Sequence, residues 1–428
     1  MKHLRSMPSI VATTFAVAVL GACGGSDDEV VPVTISVTGP NVVSQWNEIA
    51  ATTINSPAAA TGTPEEQRPN YSVDLATVHI AIYDAVIAIA GTHRPYAITP
   101  TVPTAGASQE AAAATAAYRV LLGLFPARSA SYQGAYDTYL ATLPAGTAKD
   151  RGVAIGNEVA AGILALRAND GRMAVLAPYI PGTAPGQFRG VNPVNRNAQY
   201  IKPFAVTSNN QFRAPGPPAL TSATYAADVN ETLALGSATS TTRTAAQLEI
   251  ARFHTEAPPI FWTRNLRNFM MTNRSIAEQA RLGALVWVVQ ADASNTCFES
   301  KYAYNFWRPT SAIQLADTDG NAATMLDAAW APVVPTPNHP EYPAAHGCVT
   351  GSMARALQNY YGTPKLSFDL TSTATASTHG FTTTNALVDE VMTARIAGGM
   401  HLRSALVDGF TLGRNVADWV TSHHFQAR

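Results

Sequence analysis

Residues 301–309 read KYAYNFWRP, residues 342–347 read YPAAHG, and residues 394–401 read ARIAGGMH. These three segments set Lys301, Arg308 and Arg395 beside two imidazoles, His346 and His401. Cations gathered in one pocket repel one another, so a fold that collects three of them does so around an anion. A guanidinium donates parallel hydrogen bonds to neighbouring oxygens of a tetrahedral oxyanion. A histidine near neutral pH can ligate or attack the central atom, or move protons at its oxygens. The segments therefore point to an oxyanion site for phosphate or vanadate.

Local sequence places these groups differently. Lys301 and Arg308 are seven residues apart, which sets both on one face of a helix that Pro309 ends or kinks. The prolines before Ala344 hold off helix, so His346 falls near a helix N-terminus, where free N–H groups favour an anion. Gly398-Gly399 separates Arg395 on one helix from His401 on the next. Arg403 is a further cation without motif support, and Asp408 reads as a solvated helix residue or an imidazole partner. His339 reads as structural.

The chain has 428 residues, 46% hydrophobic and 13% charged, with a formal charge of −1. Such a balance fits an ordinary globular protein and gives no basic excess for nucleic acid. Residues 1–23 read as a lipoprotein-type signal peptide: Lys2 and Arg5 precede an apolar core, and Leu20-Gly21-Ala22-Cys23 ends it. The expectation is an exported protein, periplasmic or anchored to the outer membrane by a lipid on Cys23. No later run reads as a membrane span. Cys297 and Cys348 remain, either bridged or as two buried thiols.

Helical periodicity dominates elsewhere, and the expected class is all-α, built of helical bundles. Residues 24–40 read as a flexible tether, 41–175 as an N-terminal helical region, and 223–428 as a C-terminal helical domain carrying the site. Between them, 176–222 is a Pro/Gly-rich excursion, either a linker or a cover for the site. His79 and Asp84 read as core polar residues of a helix over 73–90.

In order and spacing the segments closely resemble the vanadium-dependent haloperoxidase and type-2 phosphatidic acid phosphatase superfamily. Lys-x6-Arg-Pro, Pro-x-x-His and Arg-x5-His carry the likeness, and the QADA and HPEYPAAHG runs resemble its bacterial haloperoxidase-like branch. The resemblance implies that Lys301, Arg308, Arg395 and the Ala345 N–H hold vanadate or phosphate. It implies that His401 ligates vanadium or attacks phosphorus, and that His346 is the acid–base group. Hydrogen peroxide with a halide, or a phosphoester, would be the substrates. The family's Ser-Gly before its second-segment histidine is Ala344-Ala345 here, and Ala394 replaces its serine before the arginine. The implied activity is peroxide-driven halide oxidation. An acid phosphatase using a phosphohistidine and a non-catalytic oxyanion binder are the alternatives.

Overall fold

The computed structural model describes residues 32–55, 71–256 and 258–428. The signal segment, Cys23 and the tether up to Val31 lie outside the described residues. Helix α1 (Val42–Ile54) starts from a reciprocal cap in which Asn41 Oδ1 accepts the Val43 and Ser44 amides. Helix α2 (Tyr71–Ala90) follows, and Gly91 at φ +68° ends it. Helices α3 (Gln109–Leu124), α4 (Ser129–Ala141) and α5 (Thr147–Arg167) complete the N-terminal half.

Helix α2 is apolar on every side, and long and apolar enough to cross a membrane by composition. The sequence reading did not register it. Here it is a core helix, buried from Ser72 to Ile87. Asp84 and one nitrogen of His79 are satisfied inside, while His79 Nδ1 is buried without a partner. Asp84 accepts the amides of Tyr96, Ala97 and Ile98, and His79 Nε2 meets Asn47 Oδ1 at 2.9 Å. Both are structural, as the sequence suggests.

Burial pushes the His79 imidazole down to about 3. Its native pKa thus lies below the unfolded value of about 6.5, so the unfolded chain takes up a proton that the native protein refuses. Stability is complete above that unfolded value and falls with pH toward the native one. In His79→Gln, the pH dependence of unfolding free energy between those limits should flatten by about 1.4 kcal/mol per pH unit, read by urea melts.

After the excursion come α6 (Ala223–Gly236), α7 (Ala245–Phe253), α8 (Pro258–Met270) and α9 (Ile276–Tyr304). Helix α9 is 29 residues long and begins at a Ser275–Glu278 capping box. It packs against α2 and is buried nearly all round. Asp292, at its middle, accepts the amides of Phe204, Ala205 and Val206 at 2.8, 2.7 and 3.0 Å. Asp292→Asn turns an amide NH2 toward these donors and should cost about 2 kcal/mol of stability in urea unfolding.

The chain closes with α10 (Pro309–Gln314), α11 (Ala345–Tyr361), α12 (Thr384–Ala397) and α13 (Arg403–His423). Helices α11 and α13 meet backbone to backbone. A Cβ on Gly413 would stand 2.2 Å from the Cys348 carbonyl oxygen, so glycine is what lets them approach. A small sheet joins β1 (Val33–Thr34), β2 (Leu366–Ser372) and β3 (Ser377–Phe381) in that order, β1–β2 parallel and β2–β3 antiparallel. The fold is helical, as expected, with this sheet added. Strand β2 does alternate, burying Leu366, Phe368 and Leu370, but β3 has only Phe381 to bury and carries no readable period.

The excursion proves to be a strap on the site-bearing segments. Phe188 N–H donates to Asn305 O at 2.8 Å, Trp307 N–H to Gly186 O at 2.9 Å, and Val194 N–H to Asn338 O at 3.0 Å. It braces the segments leading to Arg308 and His339. Pro32–Arg428 make one compact unit.

Candidate active site

The three segments converge, but not in the predicted helical frame. Lys301 is in the last turn of α9, which stops at Asn305 in the left-handed conformation, φ 49°. Arg308 is extended (φ −78°, ψ 160°) and caps α10, whose first residue is Pro309. The expectation of one helix face carrying both cations is corrected: a residue before proline avoids helical geometry, so the seven-residue spacing turns a corner.

Lys301 is fully buried, and its Nζ donates to the carbonyls of Pro340 and Glu341, each at 2.9 Å. One N–H remains for a ligand. Arg308 is more committed. Its Nε donates to His339 O at 2.7 Å, Nη1 to Met400 O at 3.1 Å and to Glu341 Oε2 at 3.2 Å, and Nη2 to Pro337 O at 3.0 Å. Nη2 also stands 3.0 Å from His339 Nδ1. Arg308 is thus held on every edge, and His339 is part of the site wall.

Arg395, in the last turn of α12, is 1% exposed, and its Nη1 donates to His254 O at 3.0 Å. Its Nε–H is buried without a partner. Gly399 at φ +74° then turns the chain, and His401 falls in the connection just before α13. It is not on the second helix, although the glycines do separate it from Arg395 as expected. His346 is the second residue of α11, beside Ala345 and behind Ala344, which caps the helix without a side-chain hydrogen bond. The rings of His346 and His401 are 6.5 Å apart. The first-turn amides of α11, from Ala345 on, have no intrahelical acceptor.

The sequence reading omitted Glu341, which is fully buried between the cations. Its Oε2 is 2.8 Å from His401 Nδ1 and its Oε1 accepts the Leu402 amide at 2.9 Å. A signal existed: Glu341 is the sole acid between Asp327 and Asp369, two residues before Pro343. Two other expectations change. Asp408 accepts from Tyr342 Oη at 2.6 Å, and Arg403 pairs with Glu231 outside the cluster.

Electrostatics follow from this crowding. Burial first, then Arg308, hold Lys301 well below the usual lysine range, and the same causes bring Arg395 down to about 9. Burial and neighbouring cations push His346, His401 and His339 well below the ordinary imidazole value. Burial raises Glu341, against the pull of Arg308 and Lys301. Three buried cations share one carboxylate, so the cluster is short of negative charge.

An oxyanion fits that deficit. The uncommitted groups are donors (the third Lys301 N–H, Arg395 Nε–H and the α11 amides) together with His346 and the Nε2 side of His401, whose Nδ1 is taken by Glu341. Among the described residues no group of His, Cys, Asp and Glu could hold a bare metal ion. The donor set therefore suits vanadate or phosphate. A small hollow beside His346 is lined by His254, Glu256, Phe261, Trp262 and Thr350. Cys297 in α9 and Cys348 in α11 form a disulfide, Cα–Cα 6.2 Å, which ties the Lys301 helix to the His346 helix.

Residues 281–427 match the family model described as the VCPO second helical-bundle domain. This domain belongs to the vanadium haloperoxidase superfamily. The chain is also similar to the crystal structure of a bacterial vanadium-dependent iodoperoxidase, with TM-score 0.73, 21% identity, and 91% of this chain and 99% of that one covered. A holo-type bacterial vanadium-dependent chloroperoxidase gives TM-score 0.68 and 14% identity over 90% of this chain and 98% of that one. No curated protein matches the chain. At these identities the likeness to the iodo- and chloroperoxidase structures is one of fold. All three motif segments lie inside the superfamily match.

Proposed function

We propose that this protein is a vanadium-dependent haloperoxidase. The observation that carries the reading is a buried cationic cluster with unspent donors, above all the orphaned Arg395 Nε–H, together with two imidazoles whose rings are 6.5 Å apart. Bound vanadate supplies the centre at which hydrogen peroxide is activated for attack by halide. Lys301 and Arg395 offset the oxyanion charge, and the α11 amides, Ala345 included, add fixed dipoles at no reorganisation cost. Arg308 holds Glu341 and the Met400 carbonyl, and so keeps His401 in place. His401 offers Nε2 to the anion, while neutral His346 takes and returns protons. Ala344 leaves no side-chain hydroxyl to add to these donors.

An acid phosphatase is the second reading, favoured by Glu341 behind His401. A carboxylate on Nδ1 holds an imidazole with its other nitrogen free, the arrangement of an activated nucleophile. Export as a Cys23-anchored lipoprotein is part of the proposal, supported by the basic, apolar and Leu-Gly-Ala-Cys sequence of residues 1–23 and by a disulfide suited to an oxidising compartment.

The test is halide oxidation with hydrogen peroxide, run with iodide and bromide on vanadate-loaded and vanadate-free protein, alongside hydrolysis of a chromogenic phosphate ester. Vanadate-dependent halogenation supports the peroxidase. Ester hydrolysis inhibited by vanadate, without halogenation, replaces it with the phosphatase. Anion binding with neither activity leaves an oxyanion-binding protein.

A further inference from the structure

Glu341 adds something the cation-and-imidazole reading does not contain. A buried anion inside an anion site works against the ligand's charge unless it has another task. Two contacts define that task. Its Oε2 lies 2.8 Å from His401 Nδ1, and the same oxygen takes Arg308 Nη1 at 3.2 Å. Its Oε1 is fixed by the Leu402 amide at 2.9 Å, one residue beyond His401. The carboxylate is thereby clamped at both oxygens, to the imidazole and to the backbone that carries it. Arg308 Nη1 stands 3.5 Å from both ring nitrogens of His401, at the long limit of hydrogen-bond reach and well beyond the 2.8 Å of Glu341.

We propose that Glu341 is a positioning and specificity residue of the oxyanion site: it accepts the Nδ1–H of His401, which presents Nε2 to the ligand, and its negative charge makes the pocket prefer a monoanion over a dianion. The inference rests on the oxyanion reading and deepens it. Carboxylates that hold the far nitrogen of a ligating histidine fix its tautomer and ring orientation. The charge argument is separate. With Glu341 ionised, Lys301, Arg308 and Arg395 are offset by one unit before any ligand enters. Near neutral pH vanadate is chiefly a monoanion, whereas inorganic phosphate is largely a dianion. Glu341 thus tilts a shared donor set toward vanadate.

The experiment compares the full-length protein with Glu341→Gln and Glu341→Ala, and with His401→Ala as a control for the oxyanion reading itself. The probes are orthovanadate and inorganic phosphate, titrated by calorimetry near neutral pH. Nitrogen-15 NMR of labelled histidines reports the His401 tautomer, and thermal melts report folding. In the parent protein His401 should be the Nδ1–H tautomer. Glu341→Ala should lose that preference and weaken vanadate about 10- to 100-fold, the scale of a lost second partner of a ligating histidine. Glu341→Gln keeps an acceptor and removes the charge. It should hold the tautomer and raise phosphate affinity relative to vanadate by about tenfold or more. An unchanged tautomer in Glu341→Ala, or an unchanged phosphate-to-vanadate ratio in Glu341→Gln, overturns the proposal. Should the parent protein and His401→Ala both bind neither anion, the oxyanion reading fails, and the selectivity half falls with it. Glu341→Gln melts like the parent if the fold is intact, so a folding defect in Glu341→Ala leaves a decisive variant.

Discussion

His401→Ala is expected to abolish vanadate-dependent halide oxidation, with turnover falling by at least about a thousandfold, the scale on which loss of a central catalytic group acts. The reason is local. His401 is fully buried, it stands within a ring pair of His346, and Glu341 orients it from behind. The neighbouring imidazoles are engaged elsewhere: His339 is spent on Arg308, and His254 is paired with Glu390 at 2.9 Å. The same substitution should leave the fold standing. Glu341 keeps Arg308 and the Leu402 amide as partners, so no buried charge is orphaned. The check is halogenation rate beside a thermal melt. Activity surviving at parental level in a folded variant would remove His401 from the chemistry and the peroxidase proposal with it.

The second large effect concerns stability. Replacing Cys297 and Cys348 together by serine should cost about 4 kcal/mol of unfolding free energy, from the chain entropy of the loop they close. Their separation is 51 residues, and that loop contains Lys301, Arg308, Glu341 and His346. The bridge therefore constrains the site as well as the unfolded chain. Urea unfolding with and without reductant measures the first effect, and vanadate titration of the double variant measures the second. Equal midpoints for the parent under reducing and oxidising conditions would show that the bridge contributes nothing to stability.

Much of this was legible in the chain itself. Alanine-rich periodic stretches over 147–167 and 109–124 announced helices because the apolar face of a helix must be buried. Ser108, Ser222, Thr244 and Ser275 each cap a helix start through the side-chain hydroxyl. The three cations and two imidazoles were readable from residue type and order. The corner between Lys301 and Arg308 was also written there, in Asn305 and Pro309, but periodicity outweighed it. The hairpin at 366–381 was missed because half of its alternation is absent.

What the sequence determined alone was composition at the site: which charges, how many, and on which segments. Tertiary structure decided their relations. It made Asp292 a clamp for the strap, joined Cys297 to Cys348, and spent Arg308 on Glu341 and backbone carbonyls while Arg395 Nε was left free. Glu341 shows the division most plainly. Sixty residues of chain separate it from His401, and no local pattern encodes their pairing. Burial decides it: once water is excluded, a carboxylate must find its hydrogen bonds among whatever the fold has brought within reach, and here that is an imidazole, a guanidinium and an amide at 2.8, 3.2 and 2.9 Å.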